Sequence, residues 1–265
     1  MNTKEQSIVK KDNALPAELL EDMEGFGADF GSDEVTLPFV RIVQKMSPYL
    51  VEGDANYIEG CKAGQLVHTV DNKSYDSLMI IPLRFEHLKI QWRMREHGGG
   101  LVQVFKPTDP DLPATHKVEY QNIVTDEPDT VLEDTMQYVC KVLTADCEDI
   151  GMAVVSCSKS GLKFARKWNV QLQTKKLQLS NGRVIRAPLF SHMYPLSTLQ
   201  ETNNKNGMTQ SWHSFKFGEG VVLEDSELLQ ACIDLAKQVN DSSFATAVDA
   251  PQDSTDNEAT NDFKM

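Results

Sequence analysis

Between Ile150 and Gln200 the chain holds eight cations, Lys159, Lys163, Arg166, Lys167, Lys175, Lys176, Arg183 and Arg186, and no aspartate or glutamate. Elsewhere acid predominates, since 39 acidic and 26 basic residues in 265 give a formal charge of −13. A carboxylate-free stretch of this length suits one kind of chemistry, the electrostatic capture of a polyanion. "FEHLKIQWRMRE" adds Lys89, Arg93 and Arg95, and "DNKSYDS" adds Lys73 beside Tyr75. A tyrosine in a polar segment, without apolar neighbours in sequence, offers a flat ring on which a nucleobase can stack. Tyr49, Tyr57, Tyr194 and Trp212 have better cases for core packing. The expected nucleic-acid contacts are therefore Tyr75, Lys73, Lys89, Arg93, Arg95, Lys163, Arg166, Lys167, Lys175, Lys176, Arg183 and Arg186.

Catalytic signatures do not compete with this reading. The sequence has no Gly-x-x-x-x-Gly-Lys phosphate loop, no Gly-x-Gly-x-x-Gly, no Gly-x-Ser-x-Gly elbow and no His-Glu-x-x-His. Asp109, Asp111, Asp126, Glu127 and Asp129 share a polar segment that could gather a divalent cation, but a solvated acidic loop accounts for them. Gly98–Gly100 reads as a tight turn in preference to a phosphate cradle. The five cysteines are widely spaced and form no Cys-x-x-Cys pair, as expected of reduced thiols. Neither a cofactor nor a metal is expected, and an enzyme is not.

The elements that would position these cations are mostly strands. The folded body starts near "LPFVRIVQKMSPYL"; "GQLVHTV" and "SLMIIPLRFEHLKIQWRMRE" read as strands separated by the polar loop "DNKSYD". In the second, alternation puts Leu88, Ile90, Trp92 and Met94 inward, and His87, Lys89, Gln91, Arg93 and Arg95 outward. The three glycines turn the chain into "LVQVF" as a hairpin, and residues 106–130 read as a long loop. "MQYVCKVL" and "GMAVVSC" form another strand pair, and "KLQLSNGRVIR" a hairpin with a type I′ Asn181-Gly182 turn. "FSHMYPLSTL" and "SWHSFKF" are further strands, linked by the loop "ETNNKNGMTQ". For "GLKFARKWNVQLQ" a strand would put Arg166 on the apolar face. A helix instead gathers Leu162, Phe164, Ala165, Trp168 and Leu172 on one side and Lys163, Arg166 and Lys167 on the other, so a helix with Trp168 inside is expected. "DSELLQACIDLAKQVN" is an amphipathic helix capped by Asp225 or Ser226.

Charge divides the chain into three parts. Residues 1–35 sum to −6 and residues 241–265 to −5, leaving −2 for residues 36–240. The first part is expected to be acidic and largely flexible, with a short amphipathic helix near "PAELLEDMEGF"; the last is expected to be a disordered acidic tail. The middle is the expected single-stranded-DNA-binding domain. The tail closes on Asp262, Phe263, Lys264 and Met265, an acidic segment with an apolar and basic end of the kind that docks on a protein partner. No apolar leader and no membrane-length apolar run is seen, so a soluble protein is expected.

"LPFVRIVQKMSPYL…YIEGCKAGQLVHTVDNKSY", "FEHLKIQWRMREHGGG" and "SKSGLKFARKWN" resemble the single-stranded DNA-binding proteins of tailed phages, in particular those of the enquatrovirus group of podoviruses. The resemblance spans most of residues 37–220. It implies coating of single strands during phage replication and recombination in the cytoplasm of the infected host cell. It also implies activation of late transcription through the host RNA polymerase. The tail is similar in logic to those of other single-strand binders, but here Lys264 and Met265 follow the phenylalanine, which points to a different or additional partner beside replication proteins. The fold expected is α+β, an antiparallel OB-like β-barrel core with a C-terminal helix and disordered acidic termini. The alternative function is a transcription activator or other interaction factor whose basic face binds an acidic protein; a metal-dependent nuclease ranks third.

Overall fold

The computed structural model describes residues 37–205 and 208–241. The expectations for residues 1–35, including the short helix, and for the tail residues Asp262, Phe263, Lys264 and Met265 lie outside the described residues.

Twelve strands form one sheet whose main path runs β13-β12-β4-β8-β9-β1-β2-β3. The path joins β1 (Phe39–Ile42), β2 (Leu66–His68), β3 (Lys73–Tyr75), β4 (Leu78–Arg93), β8 (Thr130–Thr144), β9 (Asp149–Ser158), β12 (His192–Lys205) and β13 (Met208–Phe217). Off it lie β5 (Leu101–Phe105) on β4, the hairpin of β6 (Thr115–Val118) and β7 (Gln121–Val124) beside β8, and β14 (Val221–Val222) on β12. Pairing is antiparallel except where β1 meets β9 in parallel, Phe39 opposite Val154. The sheet curls into a half-barrel, and its two ends are tied by side chains. The Gln44 amide donates to the His213 carbonyl (2.8 Å) and accepts from the His213 N–H (2.9 Å), and Lys45 Nζ donates to Ser211 Oγ (2.6 Å).

Val40, Ile42, Leu66, Ile80, Tyr138, Val142, Val155, Leu196 and Phe215 point into the curl. Helix α1 (Leu162–Thr174) fills it with Leu162, Ala165, Trp168 and Leu172, a spacing that keeps one stripe inward. Helix α2 (Ser226–Asp241) covers the outer face, where Cys232 and Ala236 meet Ile81, Leu83 and Leu143. Asp225 caps it, its Oδ1 accepting from the N–H groups of Glu227 (2.9 Å) and Leu228 (3.1 Å). The structure is thus α+β, with a curled, mostly antiparallel sheet and a C-terminal helix; this strand order does not establish an OB-type barrel.

The longest strand, β4, changes its inward face midway. Pro82 lies opposite Cys140 but Arg84 lies opposite Val139, so Leu83 is an extra residue in the ladder. Pro82 is tolerated here because β12 pairs with residues 78–80 and β5 with residues 89–92, leaving no second neighbour at the position that lacks an N–H.

Several connections differ from expectation. The segment expected as the loop "DNKSYD" contains β3, and residues 106–130 contain the β6–β7 hairpin, anchored by buried Ile123 and Val124. The polar segment "ETNNKNGMTQ" continues the β12–β13 ribbon to the pair Lys205–Met208. Polar pairs such as Thr202–Ser211 suit the two-stranded end of a ribbon, where no face must be apolar. The hairpin of β10 (Lys176–Gln178) and β11 (Val184–Arg186) forms as expected, but its turn is not type I′, because only Gly182 has positive φ (80°) and Asn181 does not. The Gly182 N–H bonds the Leu179 carbonyl (2.8 Å) and the Leu179 N–H bonds the Arg183 carbonyl (2.8 Å), a tight turn closed by a glycine bulge.

Candidate nucleic-acid interface

Helix α1 and the β10–β11 hairpin form one continuous basic element, since Lys175 both caps the helix and precedes β10. Burial of Trp168 (1% exposed) fixes the rotation of the helix, which leaves Lys163, Arg166 and Lys167 exposed. In the hairpin, Lys176 and Arg186 are exposed cross-strand partners, while Leu177 and Ile185 turn to the other side and are half-buried. Arg183 is exposed in the turn, and Lys175 is half-buried with Nζ donating to the Gly220 carbonyl (3.3 Å).

The candidate cations fall into two groups. Lys163 is bonded to Glu201, whose carboxylate also accepts from Ser214 Oγ (2.6 Å) and Trp212 Nε1 (3.1 Å). Burial alone would raise the Glu201 pKa, but the bonds from Lys163, Ser214 and Trp212 outweigh it and hold the carboxyl below its usual range. Lys89 is paired with Asp134 (2.8 Å), which also bonds His87 (2.9 Å). Arg166, Lys167, Lys176, Arg183 and Arg186 have no ion-pair or side-chain hydrogen-bond partner among the described residues. The carboxylate-free stretch is therefore neutralised only in part, by acids from other elements: Glu201 beside Lys163 and Glu133 beside Lys159 (3.7 Å).

The outer strip expected over 87–95 is shorter than its alternation suggests. Strand β4 ends at Arg93, which is exposed, and Arg95 lies in a short 3-10 turn, Arg95–His97. Gln91, expected outward, is buried and donates to Thr130 Oγ1 (2.8 Å) and Glu127 Oε2 (3.0 Å). Its amide is taken up by Glu127 and Thr130, from the turn that leads into β8.

Lys73 and Tyr75 lie on β3, five strands along the path from β4. Lys73 is exposed. Tyr75 is half-buried, packs against the interior cluster, and donates its hydroxyl proton to Asp71 Oδ2 (2.6 Å). Burial, then Asp71, push its pKa up, so the ring stays neutral. Of the other aromatics, Tyr49 and Tyr194 are core and Trp212 is engaged by Glu201, whereas Tyr57, expected in the core, is 38% exposed.

Two residues were not legible as site candidates. Glu201 sits one position beyond the carboxylate-free stretch, and only the pairing of its strand reveals its role. Phe85 is 37% exposed on the same sheet face as α1, its ring centroid 5.1 Å from that of Tyr138. The acidic segment disperses: Glu127 serves Gln91 and Asp129 meets His97 (3.4 Å). Among the described residues no group of three or more His, Cys, Asp or Glu side chains could hold a metal ion. None of their helices is long and apolar enough to cross a membrane.

A family model described as Pam3 phage gp34-like protein matches residues 9–245. No curated protein and no solved structure matches the chain.

Proposed function

We propose that this chain, which belongs to the Pam3 phage gp34-like protein family, binds single-stranded DNA without regard to sequence. The observation that carries the reading is the α1–hairpin element, where Arg166, Lys167, Lys176, Arg183 and Arg186 are exposed and unpaired among the described residues. Cations left unpaired beside acids that bind their neighbours are available to phosphates, and each phosphate neutralised releases counterions. Half-buried Tyr75 at the rim of the interior cluster adds a ring for base stacking. The resemblance to phage single-strand binders points the same way and suggests a role in phage replication and recombination in the host cytoplasm. The segment ending Asp262, Phe263, Lys264 and Met265 then recruits a protein, either a replication protein or host RNA polymerase for late transcription.

Titration with poly-dT and with duplex of equal length, at several salt concentrations, tests the reading. Tighter binding to poly-dT with a steep salt dependence is expected; equal binding, or none, overturns it. Removing residues 261–265 is expected to spare DNA binding and abolish partner recruitment. A second reading, an interaction factor for an acidic protein, draws on the exposed apolar residues Leu101, Val102 and Val118 along β5 and β6. A salt-sensitive complex with polymerase in the absence of DNA would favour it.

A further inference from the structure

Phe85 is out of keeping with its neighbours. Along β4, Leu83 and Leu88 are 2% and 3% exposed, whereas Phe85 leaves 37% of its surface to solvent. Leu83, the extra residue, rotates the strand so that Phe85 faces the α1 side. There its ring leans on Tyr138 (centroids 5.1 Å, planes tilted 39°). Tyr138 is fully buried and fixed by its hydroxyl, which donates to Asn169 Oδ1 (2.7 Å). Behind it Trp168 lies 4.5 Å from Tyr138 and stacks on Phe217 at 4.1 Å with planes 8° apart. Phe85 is thus the wetted end of a rigid chain of rings.

Its surroundings are suited to a nucleotide. Asn169, whose Nδ2 approaches Met136 Sδ (3.7 Å), marks the flank of α1 that faces this strip, and Arg166 shares that flank one turn earlier. Lys89 lies on the same strand face as Phe85, four residues on, but is already paired with Asp134 (2.8 Å), so the cation left for a phosphate is Arg166. A ring with one backed and one wetted side, beside the unpaired Arg166 on the helix, matches what base stacking and phosphate capture require.

We propose that Phe85 is a base-stacking platform for single-stranded DNA, receiving a nucleobase on its exposed ring while Arg166 meets the adjoining phosphate. The inference rests on the single-strand-binding reading and names the place where a base is held. Because Tyr138, itself packed on Trp168, holds the ring from behind, little conformational freedom is lost on binding.

The test uses the full-length chain, poly-dT, and poly-dT carrying bromodeoxyuridine for photo-crosslinking. Phe85→Leu is expected to weaken poly-dT binding about tenfold with the salt slope unchanged, because stacking releases no counterions. Phe85→Trp is expected to keep wild-type affinity, which a merely structural role for the phenylalanine would not predict, and the crosslink is expected in the peptide containing Phe85. Thermal melts confirm that both variants fold. Wild-type binding with an unaffected Phe85→Leu, failure of Phe85→Trp to preserve affinity in a folded protein, or crosslinks that map elsewhere would overturn this inference alone. Absence of poly-dT binding by the wild type would overturn the single-strand reading and this inference with it.

Discussion

The pairing of Lys163 with Glu201, beside the unpaired Arg166 and Lys167, predicts unequal contributions from three cations within five residues. If the five unpaired cations of α1 and its hairpin each contact one phosphate, the logarithm of affinity should fall against the logarithm of salt with slope about −3.5, at about 0.7 per contact for single strands. Raising salt from about 50 to about 200 mM would then weaken poly-dT binding roughly a hundredfold. The double substitution Arg166→Gln, Lys167→Gln removes two contacts, so the slope should flatten to about −2.1 and the same salt change should cost roughly twentyfold. Lys163→Gln should leave the slope unchanged, because that ammonium already faces a carboxylate. Fluorescence anisotropy on labelled poly-dT across a salt series reads all three. An unchanged slope in the double variant removes α1 from the DNA path. A slope reduced by Lys163→Gln as much as by Arg166→Gln refutes the division into paired and unpaired cations.

Other perturbations address the supports of the site. Tyr75→Ala should weaken poly-dT binding while Tyr75→Phe, which loses only the bond to Asp71, should retain it; equal affinity in all three removes Tyr75 from the interface. Trp168→Ala should cost about 3–5 kcal/mol of stability in a denaturant titration, because it empties the centre of the aromatic cluster. Trp168→Phe should cost distinctly less, since the buried Nε1 it removes has no hydrogen-bond partner among the described residues. Glu201 has a lowered pKa in the folded chain, so its stabilisation is present above its unfolded pKa and lost as pH falls through the folded one. Glu201→Gln should therefore be less stable than wild type near neutral pH, with the gap closing under acid; a gap constant across pH would contradict this.

What the sequence made legible was local. The helical phase of "LKFARKWNVQLQ" follows from apolar residues at helical spacing, and the interior position of Trp168 follows from that phase. The capped start of α2 and the β4–β5 and β8–β9 pairs likewise need only neighbouring residues to be read. What stayed hidden depends on partners distant in sequence. The polar ribbon of residues 200–205 and 208–210 is held by cross-strand pairing and has no apolar alternation to announce it. Gln91 alternates with Trp92 as an outward residue should, yet it is buried with its amide bonded to Thr130 and Glu127. The charge of the stretch from 150 to 200 was legible, but its partial neutralisation was not, because Glu133 and Glu201 arrive from strands on either side of it in sequence.

The extra residue in β4 acts as a parity switch. In a regular strand, odd and even positions belong to opposite faces throughout. Leu83 exchanges that assignment, so Ile81 faces α2 while Phe85, equally odd, faces α1. A strand of the same length paired without the bulge, Leu83 opposite Val139 and Arg84 opposite Tyr138, would present Arg84, Glu86 and Leu88 to the α1 side and turn Phe85 and Lys89 outward towards α2. Every substitution in such a strand could be conservative and the surface would still be lost. Tolerance to change along this strand should therefore be high for side-chain exchange and for loss of the bulged residue itself, and close to nil for an insertion or deletion elsewhere that shifts the pairing by one.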